Sequence, residues 1–124
     1  MSSQILLSGG DKYYSYSGEV FGDVSVPATI SMITIDNTGL RDSYIQVMPF
    51  YGNLISGSAA QGLGIKIKLD NIVIVNEQAN QNYLSGLEEF KLFAPRNSKL
   101  EILSLNTSGN NTQIRGVNLI GYYL

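Results

Sequence analysis

The sequence contains no cysteine and no histidine. The first absence excludes disulfides and thiolate chemistry. The second removes the commonest general base and the commonest transition-metal ligand, and with them any hydrolase of the Ser-His type. Charge is scarce too. Asp, Glu, Lys and Arg make up 15% of the chain, against about 25% in an ordinary globular domain. The surface therefore has to be built from Ser, Asn, Gly, Tyr and some apolar groups, which reads either as a surface covered by other subunits or as a neutral Ser/Asn-rich one. The formal net charge of −2 argues against binding to nucleic acid or to anionic membrane. No run approaches the roughly 18 consecutive apolar residues of a membrane span. Met1 to Ser8 lacks the basic and long apolar regions of a secretory signal.

Sites of catalysis and ligation are equally sparse. There is no Gly-x-x-x-x-Gly-Lys-Ser/Thr loop for a nucleotide. Glu88 and Glu89 are neighbours, so in a strand they point to opposite faces and cannot flank one glycosidic bond. Asp36, Asp42 and Asp70 lack the spacing of a calcium loop and read as turn formers. Asn106-Thr107-Ser108 and Asn110-Asn111-Thr112 fit the glycosylation sequon and read as turns as well. The expectation is a protein that is not an enzyme, with no catalytic residues, no cofactor and no metal.

What is present is strand patterning. In Ile65-Lys66-Ile67-Lys68-Leu69 apolar and cationic residues alternate, the period of a half-buried strand. Asp70-Asn71 tolerates the positive φ of a two-residue hairpin turn. Ile72 to Val75 is an unbroken β-branched run, expected to be a return strand buried on both faces. Further strands are expected at Ile5–Leu7, Tyr13–Phe21, Thr29–Ile35, Tyr44–Met48, Lys99–Leu105 and Gln113–Leu124, and Leu87–Phe93 reads as a strand in preference to one helical turn. The second of these has Tyr14, Tyr16, Gly18 and Val20 on one face and Tyr13, Ser15, Ser17 and Glu19 on the other. The strands at 29–35 and 44–48 are expected to form a hairpin over residues 36–43. Pro49 should end the second of them or put it at a sheet edge. Residues 52–64, rich in Gly and Ser, read as a long loop, and a change of apolar phase near Gly116 suggests a β-bulge. The expected core is Ile33, Ile35, Val47, Ile65, Ile67, Val73, Val75, Ile102 and Leu119.

Short strands separated by frequent turn signals mean an all-β sandwich or barrel. An internal echo narrows this. Val26-Pro27 leads to a strand ending Ile33-Thr34-Ile35-Asp36-Asn37-Thr38-Gly39. Ala94-Pro95 leads to one ending Leu103-Ser104-Leu105-Asn106-Thr107-Ser108-Gly109. Two Greek-key halves would show such an echo. The expectation is one antiparallel β-sandwich domain over 1–124, a jelly roll, with residues 1–10 as an N-terminal arm or short first strand. The apolar last residues, Tyr122 to Leu124, are expected to be paired in a sheet.

Eight tyrosines stand against four phenylalanines and no tryptophan. Tyrosine suits half-buried strands, and it is also enriched at interfaces. The expected partner-binding residues are Ile5, Leu6, Leu7, Tyr13, Tyr14, Tyr16, Tyr51, Tyr122 and Tyr123.

Three stretches near the C-terminus carry a resemblance: Phe93-Ala94-Pro95-Arg96-Asn97-Ser98-Lys99-Leu100-Glu101-Ile102, Leu105-Asn106-Thr107-Ser108, and Gly116-Val117-Asn118-Leu119-Ile120-Gly121-Tyr122-Tyr123. With the Ile-Lys-Leu-Asp-Asn hairpin, they resemble small jelly-roll proteins of tailed-bacteriophage particles. The resemblance implies a structural virion protein, made in the host cytoplasm and placed on the capsid surface. There it would be a decoration (cement) protein that binds the major capsid protein as a homo-oligomer, a trimer first. The competing expectation is a carbohydrate- or receptor-binding module of a phage tail or fibre, which the lack of tryptophan weakens.

Overall fold

A computed structural model describes residues 5–9, 11–18, 20–21, 28–56, 63–78, 89–106 and 112–124. Ten strands follow in order: β1 Ile5–Gly9, β2 Lys12–Tyr16, β3 Val20–Phe21, β4 Ala28–Ile35, β5 Ser43–Ser56, β6 Leu63–Leu69, β7 Ile72–Gln78, β8 Phe90–Ala94, β9 Leu100–Asn106 and β10 Thr112–Tyr123. They form two antiparallel sheets. The first has the order β1-β2-β10-β5-β8, with β3 also paired to β10, and the second has the order β4-β9-β6-β7. Without β1 and β3, each sheet keeps four strands. The chain changes sheet at β3 to β4, β4 to β5, β5 to β6, β7 to β8, β8 to β9 and β9 to β10. That interleaving of two Greek keys across two sheets is the jelly roll. The two echoed strands, β4 and β9, lie side by side in the second sheet.

Alternation along each strand supplies the core. Ile45 and Val47 of β5, with Val117 and Leu119 of β10, face Met32, Ile33 and Ile35 of β4. Ile65, Ile67, Leu100 and Ile102 of β6 and β9 complete the layer, and all of these are buried. In β2 the buried face is Tyr13, Ser15 and Ser17. The strand expected to run to Phe21 is broken after Tyr16. There Ser17 exchanges bonds with β10, its N–H donating to the Val117 carbonyl at 3.0 Å and its Oγ accepting the Val117 N–H at 2.8 Å. Gly18 then takes φ 72°, a left-handed turn that suits glycine.

The central hairpin has the expected turn, with Asp70 at φ 50° and Asn71 at φ 68°. Its return strand does not have the expected surroundings. β7 is the edge of the second sheet, and Ile72, Val73 and Ile74 are exposed. Val73 is therefore not a core residue, and Val75 is only half-buried against the core. An edge strand has no sheet beyond it to bury its outer side. In addition, the hairpin register sets Val73 across from Lys68, on the solvated face, and the register shift beyond that pair sets Val75 rather than Ile74 across from Ile67. The other seven expected core residues are buried.

The expected hairpin over residues 36–43 does not form, because β4 and β5 lie in different sheets. The link between them is held by the β8–β9 connection instead. Thr38 N–H donates to the Ser98 carbonyl at 2.8 Å, Thr38 Oγ1 donates to the Pro95 carbonyl at 2.9 Å, and Ser98 N–H donates to Thr38 Oγ1 at 3.1 Å. β5 continues through Pro49, which lies beyond the last β5–β8 pair, Val47 with Phe90. Among the described residues β10 alone flanks it there, which is an edge position. The loop expected at 52–64 is shortened from both sides, since β5 reaches Ser56 and β6 starts at Leu63; its centre, 57–62, lies outside the described residues. The irregularity in β10 falls between Thr112 and Arg115, just before Gly116. β1 pairs with β2 of its own chain, Leu7 opposite Tyr14, and Tyr123 pairs with Ser43.

Candidate functional site

Two surfaces carry exposed apolar side chains. The first is the outer face of the first sheet. The inward residues Tyr13, Gly121, Ile45 and Leu92 are paired in succession across β2, β10, β5 and β8. The next register row, Lys12, Tyr122, Tyr44 and Phe93, must therefore point outward. Tyr44 is 54% exposed, Phe93 47% and Tyr122 37%. The row is internally ordered. Lys12 Nζ lies 5.4 Å from the Tyr122 ring centroid, within cation–π range. Tyr44 and Phe93 meet edge to face, with centroids 5.9 Å apart and planes at 74°. Beside this row Tyr14, Ile120, Gln46 and Lys91 are aligned. Between the rows lies a shallow depression of about 240 Å³, lined by Tyr44, Ile45, Gln46, Lys91 and Tyr122.

The second surface is the β7 edge. Ile72, Val73 and Ile74 are 66%, 45% and 43% exposed, and among the described residues β7 has β6 as its sole strand neighbour. A strand in that position presents a row of unpaired backbone donors and acceptors.

The expected partner-binding residues divide accordingly. Tyr14, Tyr16 and Tyr122 lie on the outer face of the first sheet. Tyr13 does not belong to any surface. It is 2% exposed, its hydroxyl lies 3.0 Å from Ser43 Oγ, and its ring centroid is 5.1 Å from that of Tyr123. Its register row faces inward, and Gly121 leaves the space its ring fills. Burial pushes its pKa above the usual tyrosine value, with the Ser43 hydrogen bond opposing the shift. Tyr123 packs against the core and carries Arg41 over its ring at 5.3 Å. Arg41 also donates to Asp11 Oδ1 at 3.2 Å and to the Leu124 main-chain oxygen at 3.0 Å, so this pair braces the end of β10. The side chains of Ile5, Leu6, Leu7 and Tyr51 lie outside the described residues. Tyr44, Phe93 and the Ile72–Ile74 run are surface groups that strand patterning did not single out. For Val73 a signal existed: counting back across the Asp70-Asn71 turn sets it opposite Lys68, an outward position.

Among the described residues no cluster of three or more acidic side chains is placed to hold a metal ion. Compared with protein-family models, with curated proteins and with solved structures, the chain has no match.

Proposed function

We propose that this chain is a structural virion protein, a capsid decoration protein that binds and stabilises a lattice of major capsid protein at the particle surface. The observation that carries the reading is the β7 edge. Three consecutive β-branched side chains stand exposed on a strand that, among the described residues, has no strand on its outer side. A soluble monomer rarely leaves such an edge uncovered. A neighbouring chain that adds a strand there satisfies the backbone groups and buries the apolar side chains together. The low charge of the chain fits the same reading, since neutral surface is buried at little desolvation cost. The resemblance of the C-terminal segments to phage jelly-roll proteins supplies the partner, the major capsid protein, and a homo-oligomer, first a trimer.

The test is add-back of the purified protein to particles assembled without it. Wild-type protein is expected to bind and to raise their resistance to heat and to low salt. Val73→Glu, which stands opposite Lys68, and Ile74→Lys change exposed positions, so the free domain should lose no more than about 0.5 kcal/mol of stability, while particle binding should drop sharply. If particles without the protein withstand heat and dilution as well as complete ones, the cement role is wrong.

A further inference from the structure

We propose that the depression on the outer face of the first sheet binds one ring of an acidic saccharide. This site is separate from the β7 edge and does not depend on the lattice reading. Its volume, about 240 Å³, falls below the roughly 300–1,000 Å³ of pockets for drug-sized ligands. It holds a single ring, with the rest of a glycan leaving over an open sheet face. The floor is apolar, set by Tyr44 and Tyr122. A pyranose ring has an apolar C–H face that lies on such an aromatic surface, and hydroxyls around its rim that require polar partners. The residues that line the depression carry such partners: the Gln46 amide, the Lys91 ammonium and the hydroxyls of Tyr44 and Tyr122.

The charge around the site selects an anion. Lys91 lines the depression, and Lys12 is held over the far side of Tyr122. Among the described residues the nearby carboxylates are turned to other partners, Asp11 to Arg41 and Asp42 to the Arg96 main-chain N–H at 2.9 Å. Glu89 reaches Lys91 only at 3.9 Å, with the two side chains 42% and 77% exposed, a water-screened contact of little strength. Lys91 is thus available to a carboxylate or sulfate on the sugar. An acidic peptide shares the charge but not a flat apolar ring face bordered by hydroxyls, so the aromatic floor favours the sugar.

The test is titration of the isotope-labelled full chain, followed by amide NMR. The probes are a uronic-acid disaccharide, sialyllactose, neutral lactose and a short polyglutamate peptide. Shifts confined to the amides around positions 44, 46, 91 and 122 are expected with the acidic sugars, which should bind several-fold more tightly than lactose. Tyr44→Ala should weaken acidic-sugar binding about tenfold or more. Lys91→Gln should erase the preference for acidic over neutral sugar. Both positions are exposed, and an unchanged spectrum elsewhere verifies the fold of each variant. The proposal is overturned if neither acidic sugar shifts these amides at ~10 mM, if binding is indifferent to Tyr44→Ala, or if polyglutamate binds as well as the sugars. None of these outcomes alters the particle add-back result, so the two proposals fail separately.

Discussion

Tyr13 and Gly121 form a packed pair in which Gly121 has no room for a side chain. A Cβ added at Gly121 would come within 2.0 Å of the Tyr13 ring, a position no packing tolerates without the ring moving. Gly121→Ala is therefore expected to cost about 1–3 kcal/mol or more from overpacking, read from urea unfolding. The Tyr13 hydroxyl gives the chain an alkaline limit. Burial raises its pKa above the ordinary 10.0, so the folded state holds this proton more tightly than the unfolded state. The associated stability is intact below about pH 10 and is lost as pH rises past that value. As pH rises above about 10, the wild-type chain should lose more stability than Tyr13→Phe, which has no proton to release there. Equal loss in the two proteins would show that this hydroxyl is not the group responsible. At Ile67, fully buried at the centre of the second sheet, truncation to Ala should cost about 2–5 kcal/mol.

At the scale of elements, the β6–β7 hairpin is a strong turn joined to an unprotected strand. Asn71 takes φ 68°, a left-handed conformation that costs ordinary residues roughly 1–2 kcal/mol and β-branched ones more. Asn71→Val should destabilise by at least about that amount, while Asn71→Gly should be close to neutral; thermal unfolding of the two variants side by side decides it. The turn is anchored beyond its own hairpin, because Asp70 N–H donates to the Lys99 carbonyl at 2.9 Å and Asp70 Oδ1 accepts the Lys99 N–H at 2.8 Å. The hairpin is thereby locked to β9 on one side and left open on the other. Under the proposed lattice reading, that asymmetry would let a partner strand dock on β7, which has no second strand neighbour among the described residues, without loosening the fold.

For the whole molecule, the decisive ties are those between connections that change sheet. Thr38 is buried and serves the Pro95 carbonyl and the Ser98 N–H with one hydroxyl. It joins the β4–β5 link to the β8–β9 link, and so holds the two sheets in relation at one end of the sandwich. Thr38→Val keeps the shape and orphans both groups, which should cost about 1–3 kcal/mol. If denaturant unfolding stays a single cooperative transition with unchanged slope, the tie contributes to stability alone. A lowered slope would mean that this end of the sandwich opens before the rest.

Local chemistry in the sequence determined the strands and several turns. The Ile-Lys alternation of β6, the Asp70-Asn71 turn and the inward choice of Ile33, Val47, Ile102 and Leu119 follow from side-chain period and backbone preference, which act over a few residues. The facing of Tyr14 and Tyr16 against Tyr13 and Ser15 follows in the same way. Tertiary structure alone decided sheet membership, and with it the candidate surfaces. Nothing near residues 36–43 announces that β4 and β5 belong to different sheets, because the bonds that separate them come from Pro95 and Ser98. Ile72–Val75 has the composition of a buried strand, yet its exposure depends on whether another strand lies beyond it. Tyr44, Tyr122 and Phe93 come together because β10, β5 and β8 are neighbours in space, and a pairing between residues far apart in the chain leaves no trace in the local pattern of any one of them.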